Sequence, residues 1–290
     1  MDAPANPAEA ALQRLIERLH RRGRVRVWSL VITIFGDAIV PRGGRVALGA
    51  LQEVVGRLGV EPGALRTALS RLAGDHWVTR ERNGRNSYYR LAESGRHSFD
   101  LATRRIYSGG PPQWDGSWTV AIAPPGGDAN AGSLAEAGFV KVEGRVYLRP
   151  ETAGALPADQ ELAGMLVVHG TGAEHPENLR ILWPSEEIAD AYRSFTDAVE
   201  PLASALKDGG TLPPLAAMAA RTLVIHGWRR VVLRDPGLPD ALLPDDWPGE
   251  EARALVRAAY RALLQPSEEW LDKAGLPPLA DPVSFRVRFG

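Results

Sequence analysis

The sequence predicts an α+β protein of several domains: a helix-turn-helix with a wing at the N-terminus, a small ferredoxin-like middle, and a helical C-terminal region. Three observations carry this expectation. Between residues 46 and 91 two short helical patterns and a turn lead into a ribbon of β-branched and aromatic residues. From 117 to 170 the pattern becomes short alternating runs, and from 185 onward long stretches of helical periodicity return. A chain of 290 residues is also long for a single core.

Residues 8 to 22 read as an amphipathic helix, with Leu12, Leu15, Ile16 and Leu19 in one stripe beside Arg14, Arg18 and His20. Core packing is the default for that stripe, and contact with a second subunit is the alternative. The apolar run from Val25 to Val40 (Trp28, Leu30, Val31, Ile34, Phe35, Ile39) predicts a buried helix ended by Gly43 and Gly44. Asp37, near its end, is expected to bond in the turn or to pair with an arginine.

Leu48, Leu51, Val54, Val55 and Leu58 then recur at helical spacing. Gly59 fits the left-handed position that closes a helix, and Pro62 fits the first turn of the next, where its missing N–H costs nothing. The second helix turns Leu65, Ala68, Leu69 and Leu72 inward and leaves Arg66, Thr67, Ser70 and Arg71 on the opposite face. Small hydroxyls and guanidinium groups on an exposed face suit contact with base edges and phosphates. WVTRER and NSYYRL, joined by Asn83-Gly84, predict a hairpin carrying Arg80, Arg82, Arg85 and Arg90. Such a unit binds DNA or, in the blander reading, a protein partner through a solvated basic face.

A helix begun around Ser94, with Phe99, Leu101 and Ile106 inward, runs into Ser108-Gly-Gly-Pro-Pro112, where a boundary is expected. Domains are therefore placed at 1–108, 113–184 and 185–290. In the middle segment GSWTVAIAP predicts a strand, Ser133 to Gly138 a short helix, FVKVEGRVYLRP a hairpin, and GMLVVHGTG a further buried strand. Ser185 and Glu186-Glu187 open the helical third, whose main stretches are SEEIADAYRSFTDAVEPLASAL, PPLAAMAARTLVIHGWRRVVLRDP and EEARALVRAAYRALLQ.

Composition narrows the chemistry. The chain has no cysteine, which excludes disulfides, thiolate metal sites and cysteine nucleophiles. The six histidines show neither HExxH nor HxH spacing, no phosphate-binding glycine motif is present, and no G-x-S-x-G surrounds Ser185. Asp235, Asp240, Asp245 and Asp246 lie in turn sequence, where solvation outranks a metal site. No cofactor is expected. No apolar run reaches the length that spans a bilayer, and a cytoplasmic protein is expected. The formal net charge of −1 hides an asymmetry: residues 1–108 hold 18 Lys+Arg against 10 Asp+Glu, and the remainder 16 against 25. A basic N-terminal third on an acidic body is the footprint of a nucleic-acid-binding segment.

His226, Trp228, Arg229 and Arg230 form a second group of interest. Two cations beside an indole suit an anionic, aromatic ligand. The competing reading is a packed histidine and a tryptophan anchoring its helix.

Four stretches give the chain a resemblance to the PaaX-type repressors of phenylacetate catabolism. They are SLVITIFGDAIVPRGG, Leu65-Arg-Thr-Ala-Leu-Ser-Arg-Leu72, GRNSYYRLAESG, and HGWRRVVLRDPGLPDALLPDDWPG; the DGSW at Asp115 to Trp118 also fits. The resemblance implies a winged-helix domain, a middle domain similar to the Cas2 ferredoxin-like fold, and a helical C-terminal domain for effector binding and dimerisation. It implies a homodimeric repressor of a double-stranded DNA operator, released by an aryl-acyl-CoA such as phenylacetyl-CoA. DNA reading then falls on Arg66, Thr67, Ser70 and Arg71, with Arg82, Arg85 and Asn86 on the wing, and effector binding on His226, Trp228, Arg229 and Arg230. A metal-dependent nuclease in the middle domain is the rival, but the strand Trp118 to Ala123 carries no carboxylate to hold a metal.

Overall fold

The computed structural model describes residues 6–21, 23, 25–84, 86–126, 131–152, 158–172, 174–182 and 186–290. In chain order the elements are α1 (Pro7–Arg21), α2 (Val27–Ile34), β1 (Arg45–Ala47), α3 (Leu48–Arg57), α4 (Pro62–Gly74), β2 (Val78–Asn83), β3 (Asn86–Leu91) and α5 (Glu93–Ile106). There follow β4 (Trp114–Ile122), α6 (Ala131–Glu136), β5 (Val140–Glu143), β6 (Val146–Thr152) and β7 (Leu166–Gly170). The last are α7 (Glu186–Lys207), α8 (Pro214–Val232), α9 (Gly249–Lys273) and α10 (Pro282–Arg286). The protein is an α+β chain of two compact units. One gathers residues 1–109, 192–233 and 251–290, the other residues 110–191 and 234–250. No helix among the described residues is long and apolar enough to cross a membrane.

The first unit is organised around α8, which buries residues on every side, from Ala216 through Val232. A helix that is apolar all round belongs in an interior, and α1, α2, α3 and α5 all pack against it. The apolar stripe of α1 (Ala8, Ala11, Leu12, Leu15, Ile16) is therefore core. α2 does not run on as one regular helix to Val40. Residues 35–39 form a π turn and 40–42 a 3-10 turn, and Gly43 closes them at φ +87°. The wider turn holds Asp37 in the interior.

The short strand β1, which no sequence pattern announced, joins the hairpin in an antiparallel sheet of order β1-β3-β2. Val46 faces Tyr89, and Val78 faces Leu91. The expected helix stops hold: Gly59 adopts φ +75° beside the His20 ring, and Pro62 occupies the first turn of α4. α9 is longer than its apolar pattern suggested, continuing through Pro266 to Lys273.

The second unit is an antiparallel sheet of order β5-β6-β4-β7. Trp118 and Leu148 on one face pack with Leu238, Leu242 and Leu243. Ala121 and Tyr147 on the other pack with Leu134, Phe139 and Ala158. The reading of GMLVVHGTG as a buried strand is corrected here. β7 is an edge strand paired to β4 alone, and Leu166 and Val168 are 62% and 48% exposed.

Candidate nucleic-acid interface and the pocket behind it

α4 sorts its side chains as its spacing requires. Leu65, Ala68, Leu69 and Leu72 are buried, and Arg66, Thr67, Ser70 and Arg71 are all exposed. Residues at i, i+1, i+4 and i+5 share one side of a helix, so the four form one continuous polar face. Thr67 is held by donation from Oγ1 to the Gly63 carbonyl at 3.1 Å. Arg71 meets Asp75 at 3.5 Å in an exposed pair, an interaction worth little in water. Arg66 makes no ion pair among the described residues, which leaves its guanidinium to a partner.

The hairpin adds a second basic edge. Asn83 pairs with Asn86 across the Gly84 turn, where Gly84 adopts φ +58°. Arg82 and Asn86 are exposed beside it, and Arg85 lies outside the described residues. Lower on the ribbon the charge is partly compensated. Glu81 accepts from Arg45 at 3.0 Å and faces Arg90 at 3.4 Å, and Arg45 also lies over the Tyr88 ring at 3.6 Å. Among the described residues, Arg66 on α4 and Arg80 and Arg82 on β2 carry guanidinium groups that form no ion pair.

Of the residues in the 226–230 group, Arg229 lines a cavity. A pocket of about 230 Å³ opens beside the π turn, lined among others by Thr33, Gly36, Trp77, Phe99, Ile106 and Arg229. Trp77 and Phe99 meet edge to face at 6.0 Å and form its aromatic wall. Arg229 donates through Nη1 to the Ser29 carbonyl (3.2 Å) and to Thr33 Oγ1 (3.0 Å). Burial draws its pKa below the ordinary arginine value. His226 Nδ1 sits 3.1 Å from the same hydroxyl. Burial, then the neighbouring Arg229 and Arg230, pull its pKa down to about 3, so the imidazole is neutral. Trp228 is fully buried against Tyr192 and Phe195, with Arg253 over its ring at 5.3 Å and its Nε1 donating to the Ile106 carbonyl. Arg230 is exposed.

Beside the pocket lies a buried polar cluster that sequence reading anticipated only at Asp37. Its carboxylate accepts from Arg221 Nε at 2.7 Å, Tyr107 at 2.5 Å, and Arg288 and Tyr260 at 3.1 Å. Arg221 continues to Ser267 Oγ and Glu268, and Arg42 joins Glu268 to Asp272. Three guanidinium groups thus face three carboxylates. Burial alone would raise the Asp37 pKa, but the charges of Arg221 and Arg288 outweigh it and hold it low. Burial and the adjacent carboxylate push Tyr107 well above its ordinary value. Every polar atom of Asp37 is engaged with protein, the arrangement of a structural clasp rather than of a reactive carboxylate. No group of histidine, aspartate and glutamate among the described residues could hold a metal ion.

The chain is similar to known proteins over most of its length. A family model described as PaaX-like protein matches residues 26–95, and one described as PaaX-like protein C-terminal domain matches residues 183–273. The chain is 31% identical over 287 residues to the transcriptional repressor PaaX of Escherichia coli (strain K12), covering 90% of this chain and 89% of that one. It superposes on the uncharacterized protein Rv0674 from Mycobacterium tuberculosis with a TM-score of 0.52 at 22% identity, over 80% of this chain and 92% of that one. At that identity the likeness speaks for the fold alone.

Proposed function

The chain belongs to the PaaX-like family, and on that premise we propose how it works as a DNA-binding transcriptional repressor of an aromatic-acid, phenylacetate-type pathway. The observation that carries the proposal is the face of α4: Arg66, Thr67, Ser70 and Arg71 all exposed, with Arg82 and Asn86 at the tip of the hairpin. In this reading α3 and α4 are the helix-turn-helix and β2–β3 is the wing. α4 enters the major groove, and the hairpin, Arg85 included, lies along the phosphates. The order β5-β6-β4-β7, with α6 crossing from β4 to β5, supports a ferredoxin-like, Cas2-like middle domain.

The repressor works in the cytoplasm as a homodimer on a two-fold operator, and an aryl-acyl-CoA releases it. Within the 226–230 group we assign effector contact to Arg229. His226 holds Thr33 in place, Trp228 anchors α8, and Arg230 supplies positive charge at the surface.

Fluorescence anisotropy on DNA from upstream of the gene, at two salt concentrations, tests this. Tight binding that weakens with salt, and is reversed by an aryl-acyl-CoA, is expected. Binding that ignores every thioester keeps the DNA claim and removes the effector. Failure to select any site from random sequence removes the DNA claim as well.

A further inference from the structure

We infer that the pocket beside the π turn receives the single-ring aromatic acyl group of the effector, with an acyl oxygen on Arg229 and the ring against Trp77 and Phe99. This locates the site of an effector that rests on the repressor reading above.

Size sets the first limit. A cavity of about 150 Å³ holds benzene, so about 230 Å³ admits one six-membered ring with two or three further heavy atoms. It does not admit the nucleotide part of a thioester, which must lie outside. Chemistry sets the second. The walls offer aromatic and aliphatic surface, and the cation available to a ligand is Arg229. Its Nη1 is committed to two neutral oxygens, whereas Nε and Nη2 have no partner among the described residues, and no carboxylate there pairs with it. A half-desolvated guanidinium without a counter-charge is a good donor to a carbonyl or carboxylate oxygen. Asp37 also borders the pocket, but Arg221 and Arg288 neutralise it and Tyr107 and Tyr260 occupy it, so it does not repel an anion.

The position of Trp77 connects occupancy to DNA binding. Its N–H donates to the Leu72 carbonyl in the last turns of α4, and its own carbonyl accepts from Ala92, just beyond β3. One residue therefore forms a wall of the pocket and the link between the DNA-reading helix and the hairpin. A ligand that displaces the Trp77 ring changes the angle between α4 and β2–β3, and ligand and DNA oppose each other.

The test uses the full chain, first without DNA. Calorimetric titration with phenylacetate, hexanoate, phenylacetyl-CoA, hexanoyl-CoA and CoA separates free acid from thioester and ring from chain. Ala102→Leu fills the pocket from α5 without removing a polar contact, and Arg229→Met removes the donor. Either ring-bearing probe should bind the wild type, with affinity at least ten-fold above its ring-free counterpart, and Ala102→Leu should weaken it at least ten-fold while the protein still binds its operator. Hydrogen exchange on the wild type gives a readout independent of the variants, with slowing expected in residues 27–39 and 99–107. Equal affinity of Ala102→Leu and wild type for the ring, or protection confined to other segments, would overturn the site. Loss of DNA binding by the wild type would instead defeat the repressor reading and leave the ligand titration standing.

Discussion

Asp37 and Arg221, 184 residues apart in the chain, meet through Oδ2 and Nε at 2.7 Å with both side chains buried. The pair ties α8 to the π turn that follows α2, within the first unit. Two buried charges are tolerable here because each finds several partners: Arg288, Tyr107 and Tyr260 around the carboxylate, Ser267 and Glu268 around the guanidinium.

Removing the carboxylate should therefore be severe. Asp37→Asn strands Arg288, leaves Arg221 with the carboxylate of Glu268, and is expected to cost about 3–5 kcal/mol, read as a shift in the urea midpoint. The pH dependence has a definite sign. Because the Asp37 pKa is lowered in the fold, its stabilisation is present above 3.8, the value of a free carboxyl, and is lost as pH falls through the lower folded value.

His226 contributes a loss of the same sign at milder acidity. Its folded pKa lies near 3 against 6.5 when free, so between those values the unfolded chain binds the extra proton. Stability should fall as pH drops from 6.5 towards 3, by up to about 1.4 kcal/mol per pH unit, and this contribution should level off below. His226→Gln should flatten that limb of a stability-against-pH curve; an unchanged slope would show that the imidazole is not neutral in the fold.

Arg66→Ala and Arg71→Ala should leave the unfolding midpoint within about 0.5 kcal/mol of wild type, because both side chains are exposed. On operator DNA each should cost about 1–3 kcal/mol if it reads a base edge, or reduce the salt slope by about 1 if it holds a phosphate. Arg82→Ala is expected to behave in the second way. Anisotropy at several salt concentrations distinguishes the two.

Gly36→Ala should also be informative. A Cβ there would stand 2.9 Å from the Phe99 ring, so the ring, which lines the pocket, must move. A cost of about 1–3 kcal/mol is expected from the overpacking. Calorimetry should show weaker binding of the ring-bearing probes, and DNA affinity should be retained.

What the sequence made legible was local. The turn at Gly59-Val60-Glu61-Pro62 and the hairpin at Asn83-Gly84 depend on backbone preferences written in adjacent residues, and the exposed face of α4 follows from its own spacing. The pocket was not legible, because its walls come from Thr33, Trp77, Phe99 and Arg229, and no periodic pattern links them. Trp228 and Arg229 are neighbours in sequence and of similar promise on paper, yet a turn of 100° about the helix axis sends one into the core and the other to the pocket. Asp37 was recognisable as an oddity in an apolar stretch, but Arg221 and Arg288 could not be named as its partners. β7 looked buried because its composition is apolar, and composition does not say which strand ends a sheet.

The threading of the first unit through three separated stretches of chain bears on how the protein is born. At translation rates of about 5–20 residues per second, Arg288 leaves the ribosome roughly 10–50 seconds after Asp37. Until Arg221 and then Arg288 emerge, Asp37 lacks the two cations that receive it in the fold, so newly made chains cannot close this core in order of synthesis. A core assembled from three separated stretches of chain is completed only after the third of them has been made.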